Sequence, residues 1–193
     1  MGLATLVVGL IVFLGSHIFV TFRDTRARAI ERLGRNAYRG LFSLVSIVGF
    51  GLIVYGYGQY RAHEWIEVWT PPAFMRHITV GLMLFAVVFI TTSYTPSHIR
   101  AWIKHPMVTS VKTWSLAHLL SNGDLGSIVL FGAFLLWGGY ARIAAKRRGD
   151  GGFTAAPSGW TNDIIVVVAG IIIYLLLGYY FHPYVIGVAV FRG

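Results

Sequence analysis

The chain has 193 residues, 56% hydrophobic and only 12% charged, with a net charge of +9, a mean hydropathy of +0.68 and no cysteine. A soluble domain of this size carries about a quarter charged residues, so half that charge together with long apolar runs indicates a membrane protein of one domain, residues 1–193. The absence of cysteine excludes disulfides, thiolate catalysis, iron–sulfur clusters and cysteine-type zinc sites, and the absence of any RNA or DNA motif argues against nucleic acid as the partner of the positive charge.

A helix needs about 20 mainly apolar residues to cross the hydrocarbon core. The first run, residues 2–22, has no basic segment before it and no small-residue cleavage site after it, and reads as a retained helix rather than a signal peptide. A basic loop follows, with Arg23, Arg26, Arg28, Arg32, Arg35 and Arg39, punctuated by Gly34, Asn36 and Gly40. The second span covers 40–60. Tyr55, Tyr57, Tyr60, Trp65 and Trp69 then form an aromatic belt, and Pro71 and Pro72 stiffen the loop. The third span is 77–94. The segment 107–121, with Lys112, Trp114 and His118, is too short and polar for a lipid-facing span. It reads as a fourth helix buried among the others, or alternatively as a re-entrant or interfacial helix. Asn122-Gly123 signals a turn, and Asp124 is placed to cap the fifth span, 126–145. Arg142, Lys146, Arg147 and Arg148 follow, then a flexible glycine-rich linker over 148–159, then the sixth span, 164–181, with an apolar tail to 191. There is no clear internal repeat.

With six spans, thirteen of the sixteen Lys and Arg residues share one side of the membrane; Arg61, Arg76 and Arg192 are the others. Five spans would put the 142–148 cluster opposite the first two basic groups. The expectation is an all-α integral membrane bundle of about six transmembrane helices, in a bacterial inner membrane. Its basic loops would be cytoplasmic beside anionic lipid, with both termini outside.

Seven histidines in a chain without cysteine are the informative chemistry. An imidazole within hydrocarbon is costly unless paired or bound. His17 lies inside the first span after Gly15 and Ser16, and His118 lies in the fourth segment with Ser115 and Ala117 beside it. Small neighbours let a helix or a flat cofactor approach. Two intramembrane histidines on different helices are what bis-imidazole ligation of a haem iron requires; the alternative is that each bonds a carbonyl or polar neighbour across a helix interface. On the six-span arrangement the two differ in depth by about 10–15 Å, so His77, at the outer end of the third span, is an alternative partner for His118. Lys104-His105-Pro106 opens the fourth segment as an interfacial basic cap or a place for a phosphate or lipid headgroup. His63 and His98 read as solvated loop residues and His182 as an interfacial end signal. Asp124 is a cap or an acceptor that orients a histidine. No hydrolase, zinc-protease, nucleotide-binding or dinucleotide motif occurs, and none of the seven acidic residues sits centrally in a span.

Two stretches resemble the NnrU family of membrane proteins. One runs from His17 through Arg26, Arg28, Gly34, Tyr38 and Arg39 to Gly56-Tyr57. The other runs from Ser97 and Arg100 through Lys104-His105-Pro106-Met107 to Trp114, His118, Asn122, Gly123 and Asp124, with Pro71-Pro72 and Arg76-His77 between them. The resemblance covers about residues 5–140 and implies a link to nitrite and nitric oxide reduction in denitrifying bacteria, through redox, gas sensing or support of a reductase. The same domain is found in the 15-cis-zeta-carotene isomerase, a haem b protein with histidine ligands. The resemblance therefore implies haem b on His17 and His118, and as alternatives a cis–trans polyene isomerase or a non-catalytic accessory subunit that docks another membrane or redox protein. The isomerase has a cysteine where this chain has Ser115, a poorer iron ligand. Lys104-His105-Pro106 also resembles a segment of small isoprenylcysteine-type methyltransferases, but the C-terminal stretch lacks their acidic residue.

Overall fold

A computed structural model describes residues 1–191; Arg192 lies outside the described residues. Helices make up 77% of it, with no β-strand among the described residues. In chain order they are α1 (Gly2–Phe19), α2 (Arg23–Leu33), α3 (Arg35–His63), α4 (Met75–Thr92), α5 (His98–Ile103), α6 (Pro106–Ser121), α7 (Leu125–Arg147) and α8 (Thr161–Leu176), which continues as a π-helix over Leu177–Ile186. Five helices are long and apolar enough to cross a membrane: α1, α3, α4, α7 and the continuous Thr161–Ile186 helix. Their outward faces are oily: Leu44, Ile47, Phe50 and Val54 on α3 and Ile164, Ile165, Val168 and Ile172 on α8 are all exposed. Such faces suit lipid, not water.

Two expectations change. The first basic loop is mostly helix: Ala27, Ala29, Glu31, Leu33 and the arginines are good helix formers, and α2 ends where Gly34 takes a φ of +79°. Arg26 lies over the Tyr38 ring, 5.9 Å from its centroid, and ties α2 to α3. Lys112, which the count of thirteen basic residues on one side includes, lies well inside α6 and is half-buried.

The chain divides into two compact units, Met1–Thr70 with Asn122–Ala144, and Pro71–Ser121 with Ala145–Gly193. In the first, α1 and α3 run antiparallel. A Cβ at Gly9 would sit 2.6 Å from the Ile53 amide nitrogen and one at Gly49 2.7 Å from that of Phe13, while Gly56 faces Leu6 and Gly2 faces Tyr60. Gly2 and Gly9 are seven residues apart, as are Gly49 and Gly56, so each pair returns to one helix face. The absent side chains let the backbones touch. Glu64 accepts from the amides of Gly2 (2.6 Å) and Leu3 (3.1 Å) and pairs with the Met1 ammonium, satisfying the open N-terminus of α1.

In the second unit α4 is flanked by α6 and α8. The Ser110 hydroxyl donates to the Ala86 carbonyl (2.7 Å) and Thr79 to that of Ala117 (2.8 Å), fixing α4 and α6 antiparallel. Thr91 donates to Val166 O (3.0 Å) and Tyr174 to Val80 O (3.0 Å), doing the same for α4 and α8. Hydroxyl-to-carbonyl bonds of this kind join helices where water is absent.

Candidate functional site

His17 sits near the end of α1 in an aromatic nest within the first unit. Its ring stacks on Phe13 at 4.3 Å, with Phe42 at 5.4 Å and Trp137 edge-on at 6.0 Å. Its Nδ1–H donates to the Phe13 carbonyl at 2.8 Å, with Ser16 Oγ 3.2 Å away. A carbonyl only accepts, so Nδ1 carries the proton of this bond.

His118 repeats this on α6, where its Nδ1–H donates to the Trp114 carbonyl one turn back at 2.9 Å. What the sequence reading missed is its neighbour. His182 is not an end signal: the helix runs on past it as a π-helix, and its Nδ1–H donates to the Leu177 carbonyl, five residues back, at 2.9 Å. Pro183 lacks an N–H, which removes one rung of the ladder. The wider turn runs to Gly187 at φ +77°, and π segments of this kind gather at functional positions. The His182 ring lies nearly parallel to that of His118, tilted by 25°, with centroids 6.3 Å apart. The apolar tail after residue 181 was the signal that the helix continues.

Each candidate imidazole has an orphaned donor beside it. Ser115, three residues before His118 and on the same helix face, is 0% exposed, and its hydroxyl has no hydrogen-bond partner. Trp137, against His17, buries an unpartnered indole N–H. Buried polar groups are nearly always satisfied, so both atoms are exceptions that call for an explanation.

The NnrU protein family model matches residues 5–190. The chain belongs to the NnrU family. No curated protein and no solved structure matches it. In this NnrU-family chain the remaining sequence-derived positions fall as follows. His77 is exposed in the first turn of α4, and His63 is exposed at the end of α3. Asp124 is a cap: its Oδ1 accepts from the Ser127 amide at 2.9 Å, and its Oδ2 is buried without a partner, so no histidine donates to it. Asn122 is half-buried, and the next carbonyl, that of Gly123, accepts from the Val68 and Trp69 amides. His98 is not a solvated loop residue: it begins α5, stacks on Trp160 at 4.2 Å and donates from Nδ1 to Asp163 Oδ2 at 2.8 Å. Asp163 also accepts from the Ile99 amide at 3.0 Å. Lys104 and His105 form the α5–α6 corner, where Lys104 holds a φ of +65°.

Proposed function

We propose that this NnrU-family chain is a haem b-binding integral membrane protein acting in nitric oxide or nitrite metabolism. The observation that carries the haem reading is the neighbouring pair His118 and His182, each donating from Nδ1 to a backbone carbonyl, with their rings nearly parallel. Their ring centres lie 6.3 Å apart, near enough for two imidazoles to reach one metal. The donor set also fits. No cluster of three or more His, Cys, Asp or Glu able to hold a bare ion occurs among the described residues, whereas a haem would bring four nitrogens of its own and need only one or two histidines from the protein.

Bound there, the haem iron would supply one-electron redox chemistry. The Trp114 and Leu177 carbonyls hold the two rings in plane, as outer-shell acceptors do for metal-bound histidines. Phe13, Phe42 and Trp137 pack around His17, which the family resemblance supports as a haem ligand. The metabolic assignment rests on family membership. The polyene isomerase reading has less support, because Ser115, a poorer iron ligand, stands where the isomerase has a cysteine.

We further infer that α6 is a crossing helix, the fourth of six, because it lies antiparallel along α4. The basic groups at 23–39, 100–104 and 142–148 then share the cytoplasmic side. The chain has no cysteine, so single Arg28→Cys and Arg147→Cys variants are expected to react with an impermeant thiol reagent from the same face of the membrane. Labelling from opposite faces rejects the sixth crossing.

Absorption spectroscopy tests the haem. Protein purified from haem-replete cells is expected to show a Soret band, and His118→Ala to lose it. Comparing His182→Ala with His17→Ala assigns the second ligand. A colourless wild-type preparation that gains nothing from added haem rejects the reading.

A further inference from the structure

Away from the histidine pair, the second unit holds a second anomaly. After α7 the chain turns back at Gly149, φ +68°, and lays residues 149–153 against the α5–α6 corner. The Lys104 carbonyl accepts from the Phe153 amide at 2.8 Å. Gly152, at φ +72°, must be glycine, since a Cβ there would meet the Lys104 carbonyl and lie 2.8 Å from His105 Nε2. The Arg100 guanidinium lies on the Phe153 ring, 3.4 Å from its centroid. Lys104 is the one non-glycine with positive φ among the described residues. Strain of this kind persists where the surroundings hold it, and it clusters at binding sites.

The polar atoms at this corner are the unusual part. Arg100 Nε, His105 Nε2 and Arg148 Nε are all buried without a hydrogen-bond partner. These are three of the seven such side-chain atoms among the described residues, and all three fall on the α5–α6 corner and the turn that meets it. Arg100, Lys104 and Arg148 stand here with two carboxylates that are already engaged: Asp150 Oδ1 accepts from the Gly152 amide at 2.9 Å, and Asp163 accepts from His98 and the Ile99 amide. Within the corner, Trp102 is 80% exposed, and Trp160 is 68% exposed a few residues beyond the turn. Tryptophans so placed sit at the level of lipid headgroups.

We propose that Arg100, His105 and Arg148 form a binding site for a phosphate group, with Lys104 and Phe153 shaping it. Guanidinium forks bind phosphate oxygens through charge-assisted hydrogen bonds, and a phosphate would give the three buried nitrogens the acceptor they lack. The exposed tryptophans favour the phosphate of an anionic lipid over a soluble one. The site is independent of haem: it uses no residue of the His118–His182 pair.

The test uses the full chain in detergent, read by native mass spectrometry. Phosphatidylglycerol and phosphatidylcholine are the lipid probes, and inorganic phosphate the soluble one. Phosphatidylglycerol is expected to remain bound, with retention about tenfold weaker in the Arg100→Gln/Arg148→Gln double variant. Arg100→Lys and Arg148→Lys should fall between, because they keep charge and lose the fork, and they guard against a double variant that fails to fold. Arg142→Gln/Arg147→Gln, at exposed positions, should bind like wild type. Competition by inorganic phosphate at millimolar levels would assign the site to a soluble phosphate instead. The proposal is overturned if wild type retains neither probe, if phosphatidylcholine binds as well as phosphatidylglycerol, or if the Arg142/Arg147 pair matters as much as Arg100/Arg148.

Discussion

In the Met1–Thr70 unit, α1 and α3 meet backbone against backbone at Gly9 and Gly49, whereas in the Pro71–Ser121 unit α4 is held by hydroxyl-to-carbonyl bonds, from its own Thr79 and Thr91 to its neighbours and from Ser110 and Tyr174 of those neighbours to it. Lipid tails are as apolar as leucine, so burying oil does not itself drive helices together in a membrane. The two pairings are the two remaining ways to gain contact: close van der Waals approach and internal hydrogen bonds. They differ in what a substitution does. A glycine seam has no room for a new atom, because its neighbours are main chain. A hydroxyl bond can be removed with only its own contribution lost. The seam carries the histidine in the aromatic nest, and the hydroxyl-bonded group carries the neighbouring pair.

The largest effect is expected where the seam is filled. Gly9→Leu or Gly49→Leu should cost about 3 kcal/mol or more, since overpacking against backbone cannot relax through a side-chain rotation. Gly15→Leu, on the same helix but with nothing within 4 Å, should cost little. Detergent or thermal unfolding of the three variants compares them directly, and equal losses would refute a seam. Next comes Asp163→Ala, which strips the acceptor from both His98 and the Ile99 amide and should destabilise by about 2 kcal/mol. A neutral result would mean that solvent replaces the carboxylate and that this corner does not hold α5 to α8.

How much of this was legible in the sequence follows the same physics. The five long apolar helices show as runs of hydrophobic residues, and their observed ends differ from the expected ones by a few residues, because the caps are local: Asp124 was readable as a cap and is one. Helix α2 was hidden because its arginines were weighed as charge, although they also favour helix. Gly2, Gly9, Gly49 and Gly56 carried their seven-residue spacing openly. His17 and His118 stood out as imidazoles in apolar runs. His182 did not, because Pro183 reads as a stop signal and only a π turn carries the helix past it. Lys104 and His105 were visible as a basic pair, but Arg148 and Phe153 join them only when the glycine-rich stretch folds back, and a stretch rich in glycine gives no sign of where it will dock.

The smaller predictions sharpen the contrast on the hydroxyl side. Thr79→Val and Ser110→Ala should each cost about 0.6 kcal/mol, the usual worth of one interhelical hydrogen bond in a membrane protein. A cost near that of Gly9→Leu would erase the distinction between the two kinds of pairing. Ser115→Ala should behave differently from both. Its hydroxyl is fully buried and bonds nothing, so removing it relieves a desolvated group, and unfolding of the ligand-free protein should shift by less than about 0.5 kcal/mol in either direction. If the hydroxyl serves a group bound at His118, the same substitution should move the absorption bands of the haem-loaded protein while leaving ligand-free stability alone. A loss of about 1 kcal/mol or more without haem would instead mean that Ser115 bonds within the helix bundle, and the orphaned hydroxyl would no longer mark the place of a ligand.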